Sequence, residues 1–232
     1  MDDVPGFGRR VGSTSALSEA EPQARSSWRA ALPVLSAGDV VLREVRESDA
    51  DSLVSQLTTP EITRYISTPP STAESFAGFI SASRRLRACG EGACFAITHR
   101  DIDRAIGLFQ IRLTASTEPE ANQFGGVRDA AEWGFAVASP YWGTGTFQRA
   151  AELVLEFVFE QMAVHRLEAR CAVKNGRGGR ALAKIGAVPE GVLRKAFACG
   201  DEHLDQVLYA IVDQDWRAAR ERARSTDIAL VH

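Results

Sequence analysis

Two glycines that stand two residues apart, Gly143 and Gly145, could bind an anion through backbone N–H groups alone. They lie between a short apolar stretch that starts at Ala131 and a helical pattern that starts at Phe147, in which apolar residues recur at 147, 150, 151, 154, 155 and 158. A glycine turn before a helix gathers amide groups where the helix dipole adds partial positive charge, which favours a phosphate or pyrophosphate. The alternative for this turn alone is an ordinary strand-to-helix connection.

Two common nucleotide-binding signatures are excluded at this turn. No Gly-Lys-Ser/Thr follows it, as a Walker loop requires, and the third glycine of the dinucleotide fingerprint is missing after Gly145. A nucleotide-binding regulatory domain would therefore have an incomplete phosphate site, so ATP and NAD are poor candidates.

A second group of residues follows downstream with its own spacing. A strand predicted over residues 165–173 ends in Lys174-Asn175-Gly176, and a short helix then runs to Lys184-x-Gly186. Two further strands are predicted near residues 191–197 and 203–212. The order is therefore strand, glycine turn, long helix, strand, asparagine, short helix and two strands.

Periodicity and caps also predict the elements before the glycine turn. After Pro69-Pro70, Ser71-x-x-Glu74 forms a capping box and predicts a helix through about Ala88. The remaining predictions are a strand over 39–46, a helix from Ser48, strands near 93–98 and 105–113, and a polar loop over 114–129 that could gate a cleft.

Composition bounds the function further. The chain has 232 residues, 45% of them hydrophobic, enough for one core domain of about 180 residues. A net charge of −3 lacks the excess of positive charge that non-specific nucleic-acid binding requires, and no apolar run is long enough to span a membrane. The four cysteines show no paired spacing, which favours the reducing cytoplasm, and no histidine has metal-ligand spacing, so no metal is expected.

Three regions are expected along the chain. Residues 1–31 have the texture of a flexible extension, although Trp28 and Leu32 could dock on the body. Residues 32–216 form the domain, and 217–232 form an Arg-rich, helical tail. The oligomeric state, monomer or homodimer, stays open.

This ordered set resembles the GNAT acetyltransferase superfamily, and within it the RimJ/RimL-type branch. The resemblance implies an α/β GNAT fold, with a mixed central sheet of about seven strands, a splayed centre and about four flanking helices. It also implies an N-acetyltransferase that moves the acetyl group of acetyl-CoA to a primary amine by direct attack in a ternary complex. A non-catalytic acyl-CoA-binding or sensor module is the alternative. The resemblance is carried by Leu42-Arg43, Glu132-Trp133-Gly134-Phe135, Tyr141-Trp142-Gly143-Thr144-Gly145, Asn175, Lys184-x-Gly186, Glu190-Gly191 and the run from Asp205 to Trp216.

The resemblance implies that the glycine turn holds the coenzyme pyrophosphate and that Asn175 reaches the pantetheine arm or orders its turn. Thr146 would add a hydroxyl contact or cap the helix. Arg177 and Arg180 would lie near the adenosine phosphates, with a solvated helix face as the alternative for each. The residues implied to contact coenzyme are Ala136, Val137, Ala138, Trp142, Gly143, Thr144, Gly145, Thr146, Phe147, Asn175 and Arg180.

In this fold the strand before the glycine turn diverges from its neighbouring strand, which leaves backbone N–H groups without a strand partner. The amides of residues 136–138 would therefore stabilise the thioester oxygen as it gains charge. Strand alternation puts Glu132 on one face with small residues and makes it the general-base candidate; a solvated edge acid is the alternative. Tyr209 is a spare acid candidate, or simply a strand tyrosine. The acceptor-side candidates are Tyr65, Phe76 and Trp133, with core packing as the alternative for Phe76.

Five positions depart from the family pattern. Pro140 stands where Gln or Arg is usual, and Thr144 stands where Lys or Arg is frequent. Gly178 replaces a small hydroxyl residue or alanine, Leu182 stands where many members carry an acid tyrosine, and Ala187 replaces a phenylalanine. For the acceptor, an α-amine with a pKa near 8 is about one-tenth neutral at pH 7, whereas a lysine amine is neutral in well under about one part in a thousand. A protein N-terminus or another weakly basic amine is the easier acceptor.

Overall fold

A computed structural model describes residues 28–66, 70–114 and 129–230, with side chains through residue 225. Its strands are β1 (Leu35–Ala37), β2 (Val40–Glu44), β3 (Gly92–His99), β4 (Ile102–Thr114), β5 (Ala130–Val137), β6 (Arg166–Ala172), β7 (Val188–Cys199) and β8 (Glu202–Val212). They form one sheet in the order β1-β2-β3-β4-β5-β6-β8-β7, antiparallel except between β5 and β6. The mixed sheet is confirmed, with the short β1 as an eighth strand.

Residues 28–30 are helical, and six α-helices lie in the described ranges from residue 50 onward. They are α1 (Ala50–Leu57), α2 (Pro60–Thr63), α3 (Ala73–Ala88), α4 (Thr146–Glu156), α5 (Gly176–Lys184) and α6 (Asp213–Leu230). Short 3-10 turns occur at Glu47–Asp49 and Ser139–Tyr141, and a wider π turn, Phe157–Gln161, continues α4. The four-residue α2 and the C-terminal α6 bring the number above the four helices expected.

The cap of α3 differs from the prediction by one residue. Thr72, not Ser71, is the N-cap: its Oγ1 accepts from the Ser75 amide at 3.1 Å, and the Ser75 hydroxyl accepts from the Thr72 amide at 3.0 Å. The reciprocal pair is therefore formed by Thr72 and Ser75, and Glu74 lies in the first turn, where its charge favours the helix dipole.

The two faces of the sheet carry separate cores. On one face α4 packs its predicted apolar stripe, and the cluster includes Phe109, Trp133 and Phe157. On the other face α1 and α3 pack against the sheet around Leu53, Phe76 and Ile80. We refer to these as the α4 face and the α3 face. Residues Ala150, Ala151, Val154, Leu155 and Val158 are all buried, which confirms the helical pattern.

The sheet opens at its centre. β5 and β6 pair in parallel only at Ala130↔Arg166, Ala131↔Leu167 and Glu132↔Glu168. Beyond Glu132, β5 continues to Val137 with β4 as its partner and without pairing to β6. The strands therefore diverge toward the glycine turn, which confirms the expected splay.

Both ends of the described chain pack on the body. Trp28 is 3% exposed and meets Phe157 edge-on at 6.4 Å between ring centroids, which confirms the docking of Trp28. In α6, Arg217 pairs with Glu160 at 2.6 Å and Arg220 pairs with Glu156 at 3.2 Å. Residues 1–27 of the predicted N-terminal extension and residues 115–128 of the predicted gating loop lie outside the described residues.

Candidate active site

The glycine turn has a backbone that only glycine adopts without strain at two positions. Gly143 has φ 78° and Gly145 has φ 84°, both in the left-handed region. Gly145 is the N-cap of α4 and has no side chain to cap its amides. A Cβ at Gly143 would meet no atom within 4 Å, so its outer side is open. The turn therefore has the form of an anion site built from backbone N–H groups.

Thr146 and Phe147 contribute to this turn differently from what the sequence suggested. Thr146 is the first residue of α4, so the interpretation of Thr146 as its N-cap is wrong. Its side chain is buried, and Thr146 Oγ1 lies 2.8 Å from Thr144 Oγ1. The Phe147 ring packs on Phe135 at 4.5 Å between centroids, so only the Phe147 backbone faces the turn.

A cation that sequence reasoning missed lies against this turn. The Arg149 guanidinium is 3.5 Å from the Thr144 carbonyl oxygen and 3.1 Å from Asp39 Oδ1. Its Nε is buried and has no hydrogen-bond partner within the described part of the chain. An arginine in the first turn opposes the helix dipole, and Asp39 offsets that cost. The signal for it was its spacing, one helical turn after Gly145.

Trp142 and Arg177 make a contact between the two diverging halves. The Trp142 indole donates from Nε1 to the Val137 carbonyl at 2.8 Å, which fixes the ring beside the end of β5. Arg177 belongs to the first turn of α5, which follows β6, and its Cζ lies 3.7 Å from the Trp142 ring centroid. The pair thus bridges the wide end of the gap between β5 and β6.

Asn175 has a clear local function. It is the N-cap of α5, and its Oδ1 accepts from the Gly178 amide at 2.9 Å. A Cβ at Gly178 would lie 2.7 Å from Asn175 Nδ2 and 2.8 Å from Cys171 Sγ. The family departure at Gly178 is thus explained by space. Arg180, also predicted near the coenzyme, is an exposed residue of the same helix.

The buried cysteines Cys171 and Cys94 are not prepared as nucleophiles. Burial raises the pKa of the Cys171 thiol, and it raises the pKa of Cys94 to about 12. Because the thiolate is the nucleophilic form, neither residue is suited to an acyl-enzyme route. This agrees with direct transfer between two bound substrates.

Of the three amides expected to serve the thioester oxygen, one faces the gap. The Ala138 amide donates to Ile106 O at 2.8 Å, so it is already used by β4. Antiparallel pairing alternates, so Ala136, opposite Leu108, also directs its amide to β4. The expectation for Ala136 and Ala138 is therefore corrected: the amides that face β6 belong to Phe135 and Val137.

Glu132 stands where β5 and β6 part, on the α3 face. Its side chain is 38% exposed, and its Oε2 lies 3.7 Å from the Arg170 guanidinium. Gly134 is the next residue on that face, and a Cβ there would meet nothing within 4 Å. The surface next to Glu132 on this face is therefore open at Gly134.

A charged network continues from this point along β6. Arg166 donates to Glu168 Oε1 at 2.8 Å and to Glu190 Oε1 at 2.9 Å. This arginine lowers the pKa of Glu190 and keeps that carboxylate ionised. Among the described residues, no group of three or more His, Cys, Asp or Glu side chains could hold a metal.

The structure separates the residues predicted to contact the acceptor. Trp133 is 3% exposed and stacks on Phe109 at 5.3 Å on the α4 face, opposite to Glu132. Phe76 is fully buried in the α3-face core. These two are packing residues. Tyr65 alone is partly exposed, packed against a small cluster that contains Phe197 and Leu204.

A cavity that sequence reasoning did not find lies close to Tyr65 along the chain. Its volume is about 250 Å³, and it lies between the α1–α2 segment and the turn between β7 and β8. Cys199 at its wall donates to Arg64 O at 3.2 Å. The full lining is Thr58, Thr63, Ile66, Ser71, Ala198, Cys199 and Gly200.

Tyr209 lies on the α4 face, not with Glu132. Tyr209 pairs with Ala169 of β6, and a Cβ at Gly179 would lie 2.9 Å from the Tyr209 hydroxyl. The hydroxyl is thus directed at the first half of α5. The two catalytic candidates therefore lie on opposite faces of the sheet.

Comparison with known proteins identifies the family. The profile described as "Acetyltransferase (GNAT) domain" matches residues 39–188, more than half of the chain. The chain therefore belongs to the GNAT acetyltransferase family. It is an acetyl-CoA-dependent acetyltransferase. In the described ranges, no helix has both the length and the apolarity needed to cross a bilayer.

Two curated relatives come from Bacillus subtilis. The uncharacterized N-acetyltransferase YnaD is 34% identical over 85 residues, which are 37% of this chain and 50% of YnaD. The uncharacterized N-acetyltransferase YoaA is 24% identical over 188 residues, which are 78% of this chain and 97% of YoaA. The match thus spans half the length of YnaD and nearly all of YoaA.

Two solved structures share the fold. Mycobacterium smegmatis RimJ, in complex with CoA-disulfide, has a TM-score of 0.66 at 23% identity and covers 76% of this chain and 83% of its own. RimL, described as a ribosomal L7/L12 alpha-N-protein acetyltransferase in complex with coenzyme A, has a TM-score of 0.66 at 15% identity and covers 78% and 98%. At these identities the likeness shows the fold alone.

Proposed function

We propose that this acetyltransferase acts on an amine that is partly neutral at pH 7. A protein N-terminal α-amine is the first candidate, and a small-molecule amine is the second. The observation that carries the proposal is the gap between β5 and β6, which begins at Glu132 and widens toward the glycine turn. Acyl donor and acceptor can meet there from the two faces of the sheet.

The residues around the glycine turn fit the pyrophosphate of acetyl-CoA. The side of Gly143 that a Cβ would occupy is open, and the first amides of α4 have no capping side chain. Arg149 adds a positive charge beside the turn, which Pro140 and Thr144 do not supply. Asn175 keeps its Nδ2 for the pantetheine arm while its Oδ1 caps α5.

Acetyl-CoA, when bound, supplies an acetyl group activated as a thioester. The Val137 amide faces the gap and would donate to the thioester oxygen as that oxygen gains charge. The Trp142 indole holds the Val137 carbonyl at 2.8 Å and so fixes the peptide plane that follows this residue. Val137 is proposed as the main donor to the oxygen because its amide, unlike those of Ala136 and Ala138, faces the gap.

Glu132 is proposed to take the proton of the attacking amine, directly or through water. It stands at the narrow end of the gap, on the open α3 face. Tyr209 is proposed to return a proton to the leaving sulfur from the α4 face, since its hydroxyl is directed at α5. The proton balance is then complete, with one group on each side of the gap.

The acceptor class follows from basicity and from the open cleft. An α-amine with a pKa near 8 is about one-tenth neutral at pH 7, so the attacking form is present without a base, and Glu132 has only to take the proton that the nitrogen loses after attack. RimL, with which this chain shares its fold, is described as acting on a protein α-amine. The cavity beside α2 could receive the side chain of an N-terminal residue.

The test is release of coenzyme A thiol from acetyl-CoA with N-terminal peptides, polyamines, amino acids and aminoglycosides as acceptors. Mass spectrometry of the product peptides identifies the acetylated nitrogen. We expect release with peptides that carry a free α-amine and none with their N-formylated forms. Release only with polyamines or aminoglycosides would move the assignment to the small-molecule class. Tight coenzyme binding without release on any acceptor would favour a binding module.

A further inference from the structure

Arg177 occupies an unusual position for an exposed arginine. Its guanidinium lies 3.7 Å from the centre of the Trp142 ring, which is van der Waals contact with the ring face. Within the described part of the chain it has no hydrogen-bond or ion-pair partner. A guanidinium that stacks on an aromatic face keeps its N–H donors free at its edges.

The partner ring is itself fixed in place. Trp142 donates to Val137 O at 2.8 Å and packs against both cores of the sheet. It directly precedes Gly143, the first left-handed residue of the glycine turn. The stacked guanidinium is therefore held next to the turn, although it is carried by α5 across the gap.

We infer that Arg177, oriented by the indole of Trp142, binds the pyrophosphate of acetyl-CoA from the α5 side of the glycine turn. The inference rests on the proposed coenzyme site. Backbone amides of the turn bind the diphosphate on one side, and the Arg177 fork donates from the other. Charge-assisted, bidentate bonds of this kind are the strong class of hydrogen bond. Arg177 thus adds a second cation to the one that Arg149 supplies beside the turn.

The test is calorimetric titration of wild type and Arg177→Ala with CoA and with dephospho-CoA. Dephospho-CoA retains the pyrophosphate and lacks the 3′-phosphate. We expect the dissociation constants of both ligands to rise by about tenfold in the variant, the effect of losing hydrogen bonds to a charged group. A loss seen with CoA alone would assign Arg177 to the 3′-phosphate and overturn the inference, as would equal affinity for both proteins.

Two further variants test the role of the indole. Trp142→Phe keeps an aromatic face and should retain most of the affinity, whereas Trp142→Leu should lose about as much as Arg177→Ala. The double variant Arg177→Ala/Trp142→Leu should then be no weaker than either single variant, because both remove one interaction. Additive losses would show that the two residues act separately, and would contradict the inference that the Trp142 indole orients Arg177.

Lys184→Ala is the matched control, since it removes one positive charge from the exposed side of the same helix. Its affinity for CoA should equal that of wild type. An equal loss in Lys184→Ala would mean that net charge, not the stacked guanidinium, explains the effect. Failure of the wild-type protein to bind CoA would defeat the proposed function itself, whereas wild-type binding without an Arg177 effect would defeat this inference alone.

Discussion

Glu132 and Glu168 face each other as the last residue pair of the parallel ladder between β5 and β6. Both side chains lie on the α3 face, but their environments differ. Glu168 accepts a 2.8 Å hydrogen bond from Arg166, whereas Glu132 has only a 3.7 Å contact with Arg170. One carboxylate is thus tied into a surface network, and the other is left for a reacting group beside an open strand edge.

This difference gives the first prediction. Glu132→Gln should lower kcat by about 100-fold or more, the usual effect of losing a general base. The affinity for acetyl-CoA should stay unchanged, because Glu132 lies on the acceptor face. Steady-state rates with a peptide acceptor between pH 6 and 9, together with calorimetry, separate the two effects.

Glu168→Gln is the matched control, with the same charge change one strand away. It should keep kcat within about threefold, since ion pairs at the surface contribute little. A Glu132→Gln enzyme with a wild-type rate at every pH in the range would remove Glu132 from the base role.

The second prediction concerns the glycine turn. Gly143→Ala puts a methyl group into the open space of the proposed phosphate site while the backbone keeps φ near 78°. We expect CoA affinity to fall by at least about tenfold, because charge-assisted contacts to the phosphate are worth more than about 1.4 kcal/mol. The measurement is calorimetry, with thermal denaturation of the same sample.

Gly186→Ala is its control. Gly186 has φ 88°, and a Cβ there also meets nothing within 4 Å, so the backbone strain is matched. Both variants should lose about 1–2 kcal/mol of stability from the left-handed conformation, but only Gly143→Ala should lose coenzyme affinity. Equal affinities in the two variants would place the anion site elsewhere.

The elements around this turn were predictable because their signals are local. The apolar residues of α4 repeat along one face of the helix, and the glycines are required by the φ angles of the turn itself. Both signals therefore depend only on residues that are close in sequence. The splay came from family resemblance, and neither the strand order nor the eighth strand was predicted, since strand pairing joins residues far apart in the chain. The boundary of α3 moved by one residue because Thr72 and Ser71 are chemically equivalent caps.

What the sequence could not supply was hydrogen-bond direction and long-range contact. From the sequence, the amides of residues 136–138 were equal candidates for the thioester oxygen. The hydrogen bond from Ala138 N to Ile106 O shows that the Ala138 amide faces β4, so the neighbouring Val137 amide faces the gap. Arg149 was missed because its partner Asp39 is remote in sequence. Trp133 was assigned to the acceptor although alternation already put it opposite Glu132.

The third prediction follows from the pair of Asp103 with Arg43. A hydrogen bond and the positive charge of Arg43 lower the pKa of Asp103 below its ordinary value of 3.8. A lowered carboxyl pKa stabilises the fold above the ordinary value, and the effect is lost as the pH falls through the folded-state pKa. Asp103→Asn should therefore lower Tm by about 1–3 °C at pH 7, a small effect because the group is exposed.

The difference in Tm should shrink below about pH 3.8 and vanish at lower pH, where wild-type Asp103 is also neutral. Asp101→Asn, in the same turn between β3 and β4, is the control and should leave Tm unchanged. A Tm difference that persists at pH 2 would show that Asp103 acts through packing or hydrogen bonding of its neutral form.

The last prediction concerns the lack of space for a side chain at Gly178 in α5. In Gly178→Ala the new methyl group would lie 2.8 Å from Cys171 Sγ, and that sulfur is buried and cannot easily move. We expect a loss of about 1–3 kcal/mol in the free energy of unfolding, the usual cost of overpacking. Gly176→Ala is the control in the same helix, because its Cβ would meet only the flexible end of Arg180 at 3.3 Å. That variant should match wild type or gain up to about 1 kcal/mol from helix propensity. Urea denaturation measures both, and a Gly178→Ala protein as stable as Gly176→Ala would mean that the Asn175 cap and Cys171 rearrange to make room for the methyl group.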